Sequence, residues 1–288
     1  MATTSIFTDG ARAKDTYFLD GAKRAEFDRL ERQSRCLNTV MHKSPFHARP
    51  TNPSHILEIG CGTGLNTCQL GRLYPKAQVL GIDPSPVPDI QDKPPNVTFT
   101  QGRFEDLLET TVLAQGSFDY VYVRVLMLAI GDWSLFLSRI MSVLKPGGWV
   151  EMQEMDPLRY YGPSSTEPVG EGWEWLQVMR EESLARGLHL SIGADLASLM
   201  GAAGLQDVVE KQYKLPFTPV PEPELREVQE YMIEFTPTVV STILERYCEG
   251  RYSREKIEDM KRESRETAFG GKIEGLHWWM YVVVGRKA

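Results

Sequence analysis

The sequence predicts an α/β protein with a doubly wound, mainly parallel sheet of seven strands. A helical arm is predicted before the sheet and a helical insertion before its last strand. Three observations support this class. Short apolar runs alternate with segments of helical spacing. The first run ends in a glycine-rich turn, and the second ends in an acidic residue. Strands that alternate with helices indicate parallel pairing with helices on both faces.

A helical arm is predicted before the sheet, from about Asp20 to Met41. Its apolar residues recur at helical spacing, namely Phe27, Leu30, Leu37 and Met41. Three prolines between positions 45 and 53 then end the helix. Residues 1–50 are therefore predicted to form an arm or lid, and residues 51–288 the main domain.

The main domain contains the predicted strands, which are bounded by glycine, proline and polar residues. They are 55–60, 78–83, 96–101, 118–126, 149–155, 205–215 and 277–287. Helices are predicted at 65–74, 132–145, 170–188 and 194–204. Asp132 is the expected N-cap of the second of these, Pro146-Gly147-Gly148 its end, and Gly204 the stop of the last. A charged, helix-like stretch at about 218–272 is the predicted insertion.

The composition argues against several classes of function. The net charge of −7 argues against a nucleic-acid-binding surface, which needs clustered Lys and Arg. No apolar run approaches the roughly 20 residues that span a bilayer, so no membrane association is expected. The first residues lack the apolar segment of a secretory signal. The four cysteines form no metal-like or paired spacing, which indicates a reducing compartment, the cytoplasm or the nucleus, and no metal site.

The strongest motif is Glu58-Ile59-Gly60-Cys61-Gly62-Thr63-Gly64, where a strand gives way to a helix. Glycines there allow a tight turn and a close approach of the backbone to a ligand. A dinucleotide site would need glycine at position 65, which is Leu65, so a nicotinamide dehydrogenase is disfavoured. A glycine turn that binds nothing is the plain alternative.

The second motif is Asp83, which ends the second predicted strand about 20 residues after the glycine loop. An acid at this position can accept hydrogen bonds from both hydroxyls of a ribose. The alternative is that Asp83-Pro84 only begins a turn.

These motifs and the segments around them resemble those of a known family. LEIGCGTG, VLGIDPS, FDYVYVR and LKPGGWVEMQEMD occur in the order found in class I S-adenosylmethionine-dependent methyltransferases. The chain most resembles the fungal LaeA-like group, in IGDWSLFLSRIMSVLKPGGWVEMQEMD and in the closing VVVGRK. The resemblance extends from about Glu31 to Asp156 and is thin from there to His277. It implies a Rossmann-like fold and S-adenosylmethionine as the cofactor, and it says nothing specific about the substrate.

The resemblance also implies roles for the motif residues. The loop glycines and Cys61 would cradle the methionine and ribose portions of the cofactor, the glycines being Gly60, Gly62 and Gly64. Glu58 would brace the loop or hold the cofactor's amino group through water. Asp83, followed by Pro84, would bind the ribose.

The loop Gly102–Asp106 would face adenine. Many relatives have an acid directly after this glycine, whereas this chain has Arg103. Either Glu105 or Asp106 turns in to replace that acid, or Phe104 packs on the ring while a backbone N–H completes the contact. Arg124 would line the cofactor or substrate pocket, or else form a structural ion pair.

A general base helps methyl transfer when the acceptor is a hydroxyl or an amide. His42 and His47 are candidates because the arm that carries them could close over the cofactor. Glu154 and Asp156 are candidates because they end a strand at the carboxyl edge, where open α/β sheets bind ligands. Surface histidines and a polar start of a loop are the alternatives. His277 is a weaker candidate, since the start of the last strand could lie far from that edge.

The expected function is methyl transfer to oxygen, nitrogen or sulfur of a hydrophobic small molecule, as in fungal secondary metabolism. Aromatic residues in predicted lid regions would suit such a substrate, although helix aromatics are more often core residues: Tyr17, Phe18, Tyr160, Tyr161, Trp173 and Trp175. The alternative is a LaeA-like regulatory protein that acts through protein partners in the nucleus. A homodimer is compatible with either hypothesis.

Overall fold

A computed structural model of the chain describes residues 24–164 and 166–288. Within them, nine strands form one sheet. The strands are β1 (His55–Ile59), β2 (Gln78–Asp83), β3 (Val97–Gln101), β4 (Phe118–Arg124), β5 (Leu144–Met155), β6 (Tyr160–Tyr161), β7 (Pro168–Val169), β8 (Gln206–Pro216) and β9 (His277–Arg286). Their order is β3-β2-β1-β4-β5-β9-β6-β7, and β8 also pairs with β9.

The helices lie between these strands and on both faces of the sheet. They are α1 (Arg24–Val40), α2 (Leu65–Leu73), α3 (Phe104–Leu107), α4 (Trp133–Val143), α5 (Glu174–Ala185), α6 (Ile192–Ala202), α7 (Arg226–Cys248) and α8 (Arg254–Thr267). A 3₁₀ turn, Pro223–Leu225, precedes α7. No helix among the described residues is both long and apolar enough to cross a membrane.

The order of the strands shows where a ligand-binding crevice opens in this sheet. β1 pairs in parallel with β2 on one side and with β4 on the other. The chain leaves β1 towards β2 and β3, and then returns past β1 to β4 and β5. In open α/β sheets such a reversal opens a crevice at the carboxyl ends of the two central strands, where ligands bind. The crevice therefore lies after Ile59 and Arg124, the last residues of β1 and β4.

Both faces of the central strands β1, β4 and β5 are mostly buried, which agrees with their nearly continuous apolar composition. On one face, Leu57, Val121 and their neighbours pack against α1 and α4–α7 in the larger core. On the other face, Ile56 and Tyr120 pack against α2 and against Phe46 from the segment after α1.

The predicted fold class is confirmed, and all seven predicted strands are present. The sheet has two further strands, β6 and β7, of two residues each, too short to produce an alternating pattern in the sequence. Asp132 caps α4 as expected, since its side chain accepts a hydrogen bond from the Leu135 N–H at 2.8 Å. Gly204, with φ of +86°, follows α6.

One predicted boundary is wrong. α4 ends at Val143, and Pro146-Gly147-Gly148 lies within β5 instead of before it. Leu144 pairs with Phe118, after which the register shifts and Trp149 pairs with Tyr120. The intervening residues therefore bulge from the strand, so a proline is accommodated without loss of a ladder hydrogen bond.

The stretch predicted as an insertion contains α7 and α8, and α1 packs against α7. The predicted start of α1 near Asp20 and the aromatic residues Tyr17 and Phe18 lie outside the described residues. The division into an arm of residues 1–50 and a domain of residues 51–288 stays a prediction.

Candidate cofactor-binding site

A cleft of about 510 Å³ opens at the carboxyl ends of β1, β2 and β4. Its walls are the glycine loop after β1, the turn after β2, the start of α3, the loop after β4 and one face of α1. The volume lies within the range of about 300–1,000 Å³ that is usual for small-molecule sites. Most of the predicted cofactor residues line this cleft: Glu58, Gly60, Cys61, Gly62, Asp83, Pro84, Arg103, Phe104, Glu105 and Arg124.

The glycine loop turns sharply because its glycines have positive φ angles. The N–H groups of Gly60 and Cys61 both donate to the Ile82 carbonyl, at 2.9 and 3.0 Å, which ties the loop to β2. Gly60 has a φ of +72°, and a Cβ on it would lie 2.5 Å from the end of the Leu126 side chain, so a larger residue would be strained and would displace Leu126. Gly60 is therefore needed for packing within the protein as well as for access to a ligand.

Gly64 was predicted to contact the cofactor, but the structure places it outside the cleft lining. A Cβ on it would lie 2.6 Å from the ring of Phe99, and its φ is +77°. The physical requirement at this position is close packing of the start of α2 against β3. The alternating glycine motif thus combines residues that face the cleft with one that faces the sheet.

Asp83 holds the loop in place. Its carboxylate accepts hydrogen bonds from the N–H of Gly62 and from the N–H of Ser85, both at 2.8 Å. Burial raises the pKa of Asp83, while these two hydrogen bonds favour the charged form. A carboxylate oxygen can accept more than one hydrogen bond, so both oxygens retain acceptor capacity towards the cleft.

Glu58 is buried beneath the loop and contacts α2. Its carboxylate accepts hydrogen bonds from the hydroxyl of Thr67 and from the side-chain amide of Asn66. Burial raises the pKa of Glu58 to about 7, against the opposing effects of Thr67 and the nearby Arg124. Of the two roles considered for Glu58, bracing of the loop is the one that these contacts support.

Arg124 is buried at the end of β4 and joins three elements. It donates to the side-chain oxygens of Asn38 at 2.8 Å and Asn66 at 3.0 Å, and also to the Ser34 hydroxyl. Among the described residues, these hydrogen-bond partners are all neutral. Arg124 therefore lines the cleft and anchors α1 over it, rather than forming the structural ion pair considered as the alternative.

The far end of the cleft, after β3, is where the resemblance places adenine. Glu105 lines the cleft and lies 3.9 Å from Arg103 and 3.8 Å from Arg139. Asp106 is exposed and does not line it. Phe104 is buried edge-on against Phe136. Glu105 and Phe104 are thus in position to replace the missing acid, and Asp106 is not.

The two predicted histidine bases lie away from the cleft. The chain turns at His42, which has a positive φ of 54°, and then passes to the opposite face of the sheet. His42 is exposed. The His47 Nε2 lies 2.6 Å from the Tyr213 hydroxyl, and its backbone N–H donates to Glu151. Neither histidine faces a methyl donor bound at the glycine loop, so their proposed role as bases has no geometric support.

The predicted carboxyl bases lie behind the cleft wall. Glu154 is fully buried, and its Oε1 accepts a hydrogen bond from the Leu126 N–H at 2.6 Å. Burial raises its pKa to about 8. Asp156 is also buried, accepts from the Ser191 hydroxyl at 2.7 Å and lies 3.2 Å from Arg159. Glu154 supports the loop after β4 and does not line the cleft.

His277 lies closer to the carboxyl edge than expected, because β9 is antiparallel to β5 and begins where β5 ends. It is buried, stacks on Tyr161 and does not line the cleft. The predicted lid aromatics Tyr160, Trp173 and Trp175 pack together in the core with Phe217 and Trp278. No group of metal-ligating residues occurs in the described parts of the chain.

The sequence predicted an arm that could close over the cofactor, but it did not show which residues of α1 form a wall of the cleft or that the loop after β4 contributes to it. This wall contains mostly apolar residues: Phe27, Leu30, Val125, Leu126, Ala129 and Ile130. The helical spacing of Phe27 and Leu30 was visible in the sequence, but it did not indicate which surface they cover.

Comparisons with known proteins identify the family of the chain. A family model described as a methyltransferase domain matches residues 29–210, which is more than half of the chain. The methyltransferase str3 of Strobilurus tenacellus is 30% identical over 200 residues, covering 69% of this chain and 70% of that protein. The secondary metabolism regulator LAE1 of Cochliobolus heterostrophus is 27% identical over 184 residues, covering 63% of this chain and 58% of the regulator.

Among solved structures, the chain is similar to the Haemonchus contortus phosphoethanolamine N-methyltransferase 2 in complex with S-adenosyl-L-methionine. The TM-score is 0.48 at 19% sequence identity, and the match covers 88% of this chain and 52% of that one.

Proposed function

The chain belongs to the methyltransferase-domain family of S-adenosylmethionine-dependent enzymes related to the LaeA group, and from that premise we propose its substrate. We propose that it methylates an oxygen, nitrogen or sulfur atom of a hydrophobic small molecule in fungal secondary metabolism. The observation that carries the proposal is the apolar wall that α1 and the loop after β4 form beside the glycine loop.

The described residues fit the cofactor. Asp83 would accept hydrogen bonds from the ribose hydroxyls, and the loop Gly60–Gly62 would lie along the methionine portion. Phe104 and Glu105 would contact adenine. Both acidic and basic side chains line the cleft, and Asp83 is the carboxylate beside the glycine loop. The bound cofactor supplies an electrophilic methyl group, and the protein supplies its position.

Methyl transfer is an in-line displacement, so the protein contributes mainly alignment and the exclusion of water. The apolar wall would hold the acceptor against the methyl group and keep water from it. Within residues 24–164 and 166–288, neither histidine candidate nor Glu154 reaches the cleft. None of these three candidates is therefore assigned the role of a general base.

A regulatory function is the second candidate, because relatives of similar identity include secondary metabolism regulators. Such a protein would bind protein partners in the nucleus, whereas a metabolite methyltransferase would act in the cytoplasm. Both would bind the same cofactor, so cofactor binding does not separate them.

The test is to incubate the purified protein with methyl-labelled S-adenosylmethionine and an extract of the producing cells. Label in an organic-soluble compound that the variant Asp83→Ala does not produce would support the proposal. Label in a protein band would instead favour the regulatory or protein-modifying role.

A further inference from the structure

A second cavity, of about 100 Å³, adjoins the cofactor cleft. It lies between α1, α7 and the carboxyl end of β5. Four methionines contribute to its lining, and we name it the methionine pocket after them: Met127, Met155, Met179 and Met232. Methionine side chains are flexible and polarizable, and they adapt to irregular apolar ligands.

The two cavities share part of their walls. Leu30 and Gln33 of α1, with Val125 and Ala129 of the loop after β4, line both of them. The partition between cofactor and pocket is thus a single layer of side chains. An apolar group in the pocket would lie next to the cofactor cleft, with these four side chains at the boundary.

The partition is held in an unusual conformation. Val125 has a φ of +54°, which is rare for a β-branched residue. Its N–H donates to the Gln153 carbonyl at 2.9 Å, and the next N–H, of Leu126, donates to Glu154 at 2.6 Å. Strained backbone that the surroundings hold in place clusters at ligand-binding sites.

The side chains around the pocket are suited to an uncharged ligand. Arg29, at its edge, is already paired with both carboxylate oxygens of Glu26 and donates to the Tyr231 hydroxyl at 3.2 Å. Burial raises the pKa of both Cys36 and Tyr231 to about 12, so both are neutral at physiological pH. Gln33 is the neutral polar side chain at the entrance.

We propose that the methionine pocket binds the apolar end of the methyl acceptor, a group of about the size of one aromatic ring or a branched five-carbon chain. The acceptor's nucleophilic atom would then project past Gln33 and Val125 into the cofactor cleft. An apolar cavity of about 150 Å³ accommodates benzene, so a pocket of this size requires the methionines to adjust around a ring. This assignment rests on the proposed function and specifies its substrate class.

The test uses the full chain with ¹³C-methyl methionine, saturated with S-adenosylhomocysteine, and toluene as the probe. Toluene is expected to shift the methyl resonances of the four pocket methionines and to leave those of Met200 and Met260, buried elsewhere, unchanged. The substitution Val240→Phe fills the pocket from α7 and should weaken toluene binding about tenfold or more. The control Val178→Phe adds the same volume in α5 outside the pocket and should bind toluene like the wild type.

A second variant guards against misfolding of Val240→Phe. Met232→Ala enlarges the pocket and should allow butylbenzene to bind, which the wild type would exclude. Wild-type resonances that do not respond to toluene, or toluene binding that Val240→Phe leaves unchanged, would overturn the assignment. Methylation of the extract acceptor by a folded Val240→Phe at the wild-type rate would also overturn it.

Binding at the cofactor cleft is measured separately, by calorimetric titration with S-adenosylhomocysteine. Toluene binding together with no affinity for S-adenosylhomocysteine would overturn methyl transfer and the acceptor assignment, although the pocket would remain an apolar binding site. Normal cofactor affinity with an unresponsive pocket would overturn the pocket assignment alone.

Discussion

Replacing the buried carboxyl of Glu154 by an amide should make the protein more stable at alkaline pH. The side chain is fully buried, and one oxygen, Oε1, holds the Leu126 N–H. Its other oxygen has no hydrogen-bond partner within the described residues. Glu154→Gln keeps the shape and can keep an oxygen facing Leu126, but it cannot ionise. The new amide N–H groups affect stability equally at every pH, so the pH dependence of the difference isolates the effect of a buried negative charge.

The pKa of Glu154 is raised to about 8 from an ordinary value of 4.5, because burial disfavours the charged form. Below pH 4.5 both the folded and the unfolded chain are protonated at this position. Between pH 4.5 and about 8 the unfolded chain loses the proton and the folded chain keeps it, so stability falls as the pH rises. The free energy of unfolding of the wild type falls by about 1.4 kcal/mol per pH unit, which amounts to roughly 5 kcal/mol across this range.

The assay is urea denaturation of both proteins at pH 5, 6.5 and 8, followed by circular dichroism. The stability advantage of Glu154→Gln should be small at pH 5 and should grow to several kcal/mol at pH 8. Other titrating groups cancel, since both proteins contain them. Glu255→Gln, a change to an exposed carboxyl in α8, should have little effect at any pH. Parallel stability profiles for Glu154→Gln and the wild type would refute the reasoning.

Three further outcomes are expected. Asp83→Ala should weaken S-adenosylhomocysteine binding roughly 10- to 100-fold in calorimetry, because charge-assisted hydrogen bonds are lost; unchanged affinity would remove Asp83 from the site. Gly64→Ala should lower the free energy of unfolding by about 2 kcal/mol or more, and by more than Gly62→Ala does, because of these two positions only the Cβ at 64 would meet the ring of Phe99. Equal melting temperatures of the two variants would contradict this. Arg124→Ala should speed amide hydrogen exchange in α1 relative to the wild type and leave exchange in β1 unchanged. An equal change in α1 and β1, or no change in α1, would show that Arg124 does not anchor α1.

The sequence by itself determined the fold class, and it predicted the glycine loop and Asp83 that the structure brings together at one cleft. Both depend on local patterns. Apolar runs of strand length mark β1, β2 and β4, and glycines at alternate positions mark a turn that larger residues cannot adopt. Asp83 is recognisable because it ends a strand next to that turn. These features lie close together in the chain, so they can be recognised without knowledge of distant contacts.

Only the tertiary structure decided which residues face the cleft. Gly64 belongs to the same motif as Gly60, but it packs against β3 because of the direction in which the chain turns. His47 was a candidate by its place in the arm, and it lies on the opposite face of the sheet, beside Glu151. Glu154 ends a strand at the correct edge, but its side chain supports the loop after β4 from behind.

The methionine pocket was not predicted at all. Its walls come from α1, the loop after β4 and α7, whose lining residues are separated by more than 80 residues in the chain, and only folding brings them together. A periodic pattern shows that a helix has an apolar face, but it does not show what that face meets. The sequence therefore predicted the loop at which we expect the cofactor, and the packing of distant helices formed the apolar pocket beside it.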